Sequence, residues 1–209
     1  MSSTIHRAPA APVQISPPGP ARFRAHYAPA STREAALADP HTLAVFGFGQ
    51  ATTPCADPRW LQVPLDEHGP AQIEIWQTAG TVQSGVDGQV RWSHDGSVLF
   101  GAIEIDELES DIEAAAADAY ATLSRFLTSC GFPHLLRAWN YLDAVTEGEG
   151  DTERYRRFCV GRVRGLRTLD EAALPAATCI GRLDGVGRLE GCWLSARAPG
   201  TPLGHPRLV

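Results

Sequence analysis

Lysine is absent from this chain, and all 18 of its basic residues are arginine. Every cation is therefore a planar fork that can grip a carboxylate through two hydrogen bonds, rather than a mobile point charge. Also missing is any apolar run of the roughly 18 residues that a membrane-spanning helix requires. The opening stretch MSSTIHRAPAAPVQISPPGP lacks the continuous apolar segment of a secretory leader, so the expected location is the cytoplasm. Five cysteines (Cys55, Cys130, Cys159, Cys179, Cys192) stand singly with no CxxC pair, which reads as reduced thiols. Seven histidines form neither HExxH nor HxH, so no metal is expected, and FGFG (46–49) has no helix after it, so no cofactor is expected either. The net charge of −6 makes nucleic acid a poor partner. No Ser-His-Asp or Cys-His set is defined by spacing, and catalytic residues are left unassigned.

What is present reads as an α+β protein. Residues 1–40 are rich in proline and alanine and read as a partly disordered arm; residues 41–209 read as one domain. Strand candidates are TLAVFGFGQ (42–50), QIEIWQT (72–78) and short pieces of 86–105 punctuated by two Asp-Gly turns. From 106 to 131 the apolar period changes to that of a helix, with acids crowding its start and Gly131 and Pro133 ending it. HLLRAWNYL (134–142) is a strand, 152–166 a second helix, and 175–183 with 187–198 a strand pair turned by DGVG. The expected architecture is a mixed sheet with two helices on one face, preceded by the arm and extra strands.

The candidate site comes from two arginine-bearing stretches. On the first, Arg137 and Tyr141 share one strand face and Asn140 lies on the other, where a lone amide among Leu136, Ala138 and Leu142 needs partners. The second, RYRRFCVGR, holds four arginines in residues 154–162. Seven residues apart, Tyr155 and Arg162 share a helix face with Phe158 and Cys159, so Arg162 points at the sheet. A guanidinium placed there needs an anion: an internal carboxylate, with Glu104 as the nominee, or a ligand. Arg154 is the member of the run nearest the end of the preceding strand. Glu104, Asp106, Glu107 and Glu109 read as a helix N-terminus, and no general acid stands out.

LPAATCIGRLDGVGRLEGCWLSA (174–196) resembles the closing strands of the Rid, or YjgF-like, fold. In that family an arginine holding the substrate carboxylate stands where this chain has Ala177. HLLRAWNYL, ERYRRFCVGR, PAATCIG and APGTPLGHPR together resemble the chorismatase family, from about residue 40 to the end. The resemblance implies a YjgF-like fold and cleavage of chorismate to pyruvate plus a hydroxybenzoate or a dihydroxycyclohexadiene carboxylate, on routes to pigments or ubiquinone. It also implies that Arg137, Asn140, Tyr141, Arg154, Tyr155 and Arg162 bind the dianionic substrate. Family members continue into a second, similar half that carries the catalytic glutamate. This chain is thus expected to be the substrate-gripping N-terminal portion, to lack a proton donor, and to self-associate through surface that half would cover. The alternative is a Rid-type domain that binds small acids or assembles without catalysis.

Overall fold

The computed structural model describes residues 23–49, 53–65, 69–107, 111–166, 175–182 and 184–198. Ten strands and three α-helices follow in chain order: β1 (Phe23–Pro29), α1 (Arg33–Ala38), β2 (Thr42–Phe48), β3 (Trp60–Val63), β4 (Gln72–Thr78), β5 (Gln83–Asp87), β6 (Val90–His94), β7 (Val98–Asp106), α2 (Ile112–Cys130), β8 (His134–Asp143), α3 (Arg154–Leu166), β9 (Ala176–Arg182) and β10 (Arg188–Ala196). The strands form two sheets, ordered β1-β4-β2-β3 and β5-β6-β7-β10-β8-β9. Two neighbour pairs are parallel, β2 with β3 and β8 with β9; the rest are antiparallel.

The layers follow from which face of each element is apolar. α2 and α3 lie on one face of the six-stranded sheet, packing Ala119, Leu123, Leu127 and Phe158 onto Leu99, Ile103, Ala138, Leu142 and Trp193. The opposite face carries Phe100, Ala102, Tyr141, Cys192 and Leu194, which meet Phe46, Leu61 and Trp76 of the smaller sheet. A third cluster, around Val45, Trp60, Ile73 and Ile75, lies beneath α1. Because β2 is covered on both faces, TLAVFGF is a continuous apolar run rather than an alternating one.

α2 begins where the Asp111 carboxylate accepts the amide of Ala114 at 3.0 Å, and it ends at Gly131, whose φ of 77° suits a residue without Cβ. α3 carries Gly161 and Gly165 on the side facing α2, and a Cβ at Gly161 would collide with the carbonyl of Glu113. Those two glycines let the helix backbones approach.

The α+β class and the two helices on one face are as expected; four details differ. The stretch to residue 40 contains β1 and α1 from Phe23 onward, while residues 1–22 lie outside the described part. The strands divide into two sheets, because β1–β4 supply enough apolar residues for a separate layer. β7 runs through Glu104 to Asp106, so those acids end a strand, and Glu109 lies outside the described residues. β9 and β10 are not a hairpin: β8 lies between them, and β9 pairs with β8 in parallel.

Candidate functional site

The candidate residues lie on β8 and α3, and β8 is flanked by β9, the outermost strand of the six-stranded sheet among the described residues. Arg154 starts α3 and is already occupied. Its Nη2 donates to Glu107 Oε1 at 2.6 Å and to Asp143 Oδ1 at 2.8 Å, and its Nε donates to the carbonyl of Asp143 at 3.0 Å. Half-burial works against the charge, and the two carboxylates more than compensate, so its pKa is raised. This cation fastens α3 to the ends of β7 and β8 and has little left for a ligand.

Arg162 is the reverse case. Its Nε is buried without a hydrogen-bond partner, and no carboxylate pairs with it among the described residues. Glu104, the nominated partner, instead accepts from Arg91 at 2.6 Å and from Arg188 at 3.1 Å. Glu104 sits opposite Glu190 on the face turned away from the helices. What Arg162 has is an aromatic face, its guanidinium carbon lying 5.5 Å from the centroid of Tyr120. Around it are Cys159 and Cys179, the latter pushed up to about 12 by burial and by the neighbouring Cys159. Tyr155, at the start of the same stripe, is 43% exposed and stacks on Phe158 at 6.3 Å.

Asn140 finds the partners its burial demands. Its Oδ1 accepts from the Tyr120 hydroxyl at 2.9 Å, and its Nδ2 donates to the carbonyl of Thr178 at 3.2 Å. Burial raises the Tyr120 hydroxyl to about 12, so it keeps its proton at neutral pH.

Arg137 lies on the other face of β8. Its guanidinium covers Trp139 at 5.0 Å and donates to Thr178 Oγ1 at 3.0 Å, again with no acid among the described residues. Tyr141 shares that face but is buried between the sheets, with its pKa raised by burial first and then by Cys192, Glu190 and Glu74.

The six candidates therefore fall into three groups. Arg162, Asn140 and Tyr155 lie on the helix side, Arg137 and Tyr141 on the inter-sheet side, and Arg154 is neutralised at the corner. β9, with exposed Ala177 near its start, borders both arginines: Arg137 is the pairing partner of Ala176, and Arg162 lies near Cys179. Tyr120 and Thr178 escaped the sequence reading. Tyr120 falls in the apolar stripe of α2 and looks like core, and nothing local marks Thr178 as a partner of residues 38 and 41 positions away.

Glu190 was missed as well. It is 4% exposed in its side chain, opposes Glu104 across β7 and β10, and lies 3.4 Å from Arg182 Nη1. Burial and the Glu104 charge outweigh Arg182, raising its pKa to about 7. The Nη2 of Arg182 also donates to the carbonyls of Val186 and Arg188.

A separate cleft of about 410 Å³ opens on the smaller sheet between Arg33, Glu34, Gly47, Trp60 and Gln62, and none of the six candidates lines it. Among the described residues there is no cluster of three metal-ligating side chains, and no helix is long and apolar enough to cross a membrane.

Comparison with known proteins places this arrangement. A family model described as "Chorismatase FkbO/Hyg5-like, N-terminal" matches residues 74–195, which include all six candidates together with Tyr120, Thr178 and Glu190. A chorismatase from Streptomyces hygroscopicus is 37% identical over 114 residues, 53% of this chain and 33% of that protein. A 3-hydroxybenzoate synthase from the same organism is 30% identical over 115 residues, 54% of this chain and 34% of that protein. A crystal structure of chorismatase superposes with a TM-score of 0.70 at 27% identity, over 84% of this chain and 54% of that one. The chain thus spans about a third of the curated relatives it matches. It belongs to the FkbO/Hyg5-like chorismatase family, of which it carries the N-terminal domain.

Proposed function

We propose that this domain binds chorismate at the β9 margin and serves a cofactor-free chorismatase reaction in the cytoplasm, yielding pyruvate and a hydroxybenzoate or a dihydroxycyclohexadiene carboxylate. The observation that carries the reading is the pair of guanidinium groups free of acids among the described residues, Arg137 and Arg162, on the two faces of the sheet beside β9. Chorismate has two carboxylates, and a dianion lying across the margin meets one fork on each side. Asn140 and Tyr155 add polar groups on the helix side. Arg154 acts here as a fastener and Tyr141 as a floor. Cleavage requires a proton at the enolpyruvyl ether from an acid poised near neutral pH and within hydrogen-bond reach. No described carboxylate pairs with Arg137 or Arg162, and Glu190, the described acid raised to about 7, is buried against Glu104 and Arg182, so this reading takes the donor from another segment or from a second copy of the chain.

Titrating the chain with chorismate while assaying pyruvate tests this. Binding should weaken roughly tenfold or more in Arg162→Ala and in Arg137→Ala, the usual scale for losing a charge-assisted contact. Wild-type affinity in both variants overturns the reading. Pyruvate release supports turnover by this chain, whereas binding without release fits a site that awaits its proton donor.

A further inference from the structure

Arg162 and Arg137 lie on opposite faces of the sheet, yet one connected set of contacts joins them. The Tyr120 ring lies under the Arg162 guanidinium at 5.5 Å. Its hydroxyl donates to Asn140 Oδ1 at 2.9 Å, and Asn140 Nδ2 reaches through the strand pairing to the carbonyl of Thr178 at 3.2 Å. The hydroxyl of Thr178 then accepts from Arg137 Nη2 at 3.0 Å. Each link has its own reason to be rigid. Tyr120 is 3% exposed and Asn140 also 3%, so neither polar group has water as an alternative partner. Thr178 is on β9, which among the described residues pairs on one side only, so the Asn140 bond supplements that pairing.

We infer that Tyr120 is a positioning residue for chorismate binding. Its ring fixes the Arg162 fork on the helix side of β9. Its hydroxyl, acting through Asn140 and Thr178, fixes the strand from which Arg137 is held on the other side. The inference rests on the binding reading above and adds to it the device that sets the spacing of the two forks. A dianion whose second carboxylate turns on the enolpyruvyl ether bonds already has freedom to lose, so a preset spacing of the two forks spares a further ordering cost. Tyr120 touches no reacting atom in this scheme.

The test uses the whole chain, chorismate titration calorimetry, and the Nε–H resonance of Arg162, assigned by its loss in Arg162→Ala. In the wild-type protein that resonance should be displaced upfield by the Tyr120 ring. Tyr120→Leu should abolish the displacement and weaken binding roughly three- to thirtyfold, the span of a cation–π contact. Tyr120→Phe should keep the displacement, because the ring remains, and weaken binding roughly three- to tenfold, as expected for one buried hydrogen bond. Thr178→Val, at a partly exposed edge position that folds whatever Tyr120→Leu does, should weaken binding by a similar factor. Its effect should not add to that of Tyr120→Phe, because both break one chain of contacts. An undisplaced wild-type resonance, or full additivity of Tyr120→Phe with Thr178→Val, overturns the proposal. Weakened binding in Arg162→Ala beside wild-type binding in both Tyr120 variants overturns the positioning role alone. Wild-type binding in both Arg162→Ala and Arg137→Ala overturns the reading beneath it.

Discussion

Glu190 is the residue whose chemistry departs most from its sequence context. In GRLEGCW it looks like a strand acid with Arg188 as company, but Arg188 turns to Asp106 and Glu104 at 2.7 and 3.1 Å. Glu190 is left buried against a second glutamate, with a pKa near 7 instead of the ordinary 4.5. A carboxyl whose pKa is raised on folding stabilises the native state fully below its unfolded value, and the contribution disappears as pH rises through the folded value. The window is therefore about pH 4.5 to 7, and the rise corresponds to about 3 kcal/mol. Glu190→Gln mimics the protonated acid and should remove this dependence. Thermal melts of the two proteins should shift in favour of the variant between pH 4.5 and pH 8. A stability difference that stays constant over that range would show that Glu190 is ionised throughout.

The contact between α2 and α3 depends on absent side chains more than on present ones. A methyl group at Gly161 meets the Glu113 carbonyl, and one at Gly165 meets the carbonyl of Ala117. Alanine is the better helix former by about 1 kcal/mol, so a lone helix would gain from either change. In the folded protein overpacking wins, and Gly161→Ala should lower stability by about 1–3 kcal/mol in urea titrations. Equal or higher stability would mean that α3 shifts away from α2 at little cost. Both helices were legible in the sequence, because apolar spacing and the Gly131 stop are local signals. β8 was legible for the same reason, as was the need of Asn140 for partners. The position of β10 was not. A two-strand stretch with DGVG between its halves has the local grammar of a hairpin, and nothing nearby reports that β8 intervenes. The partners of the arginines were hidden likewise, since an acid 47 residues upstream of Arg154 leaves no periodic trace.

At the scale of the whole molecule, Trp76 joins the two sheets. It lies 4.6 Å from Phe46 within its own sheet and 5.9 and 5.1 Å from Phe100 and Trp139 of the larger one. Trp76→Ala should cost about 3–5 kcal/mol. Amide exchange should then quicken in β1–β4 before it does in β7, β8 and β10. Equal acceleration in both sheets would show that they open as one unit.

The central place of β10 has a temporal consequence. During synthesis the floor beneath both helices stays split, with β7 and β8 awaiting a partner, until residues 188–196 leave the ribosome. Two strands that do not pair with each other must hold a gap open for β10, so nascent chains of this domain carry an unzipped centre from the completion of β8 at residue 143 until residues 188–196 follow.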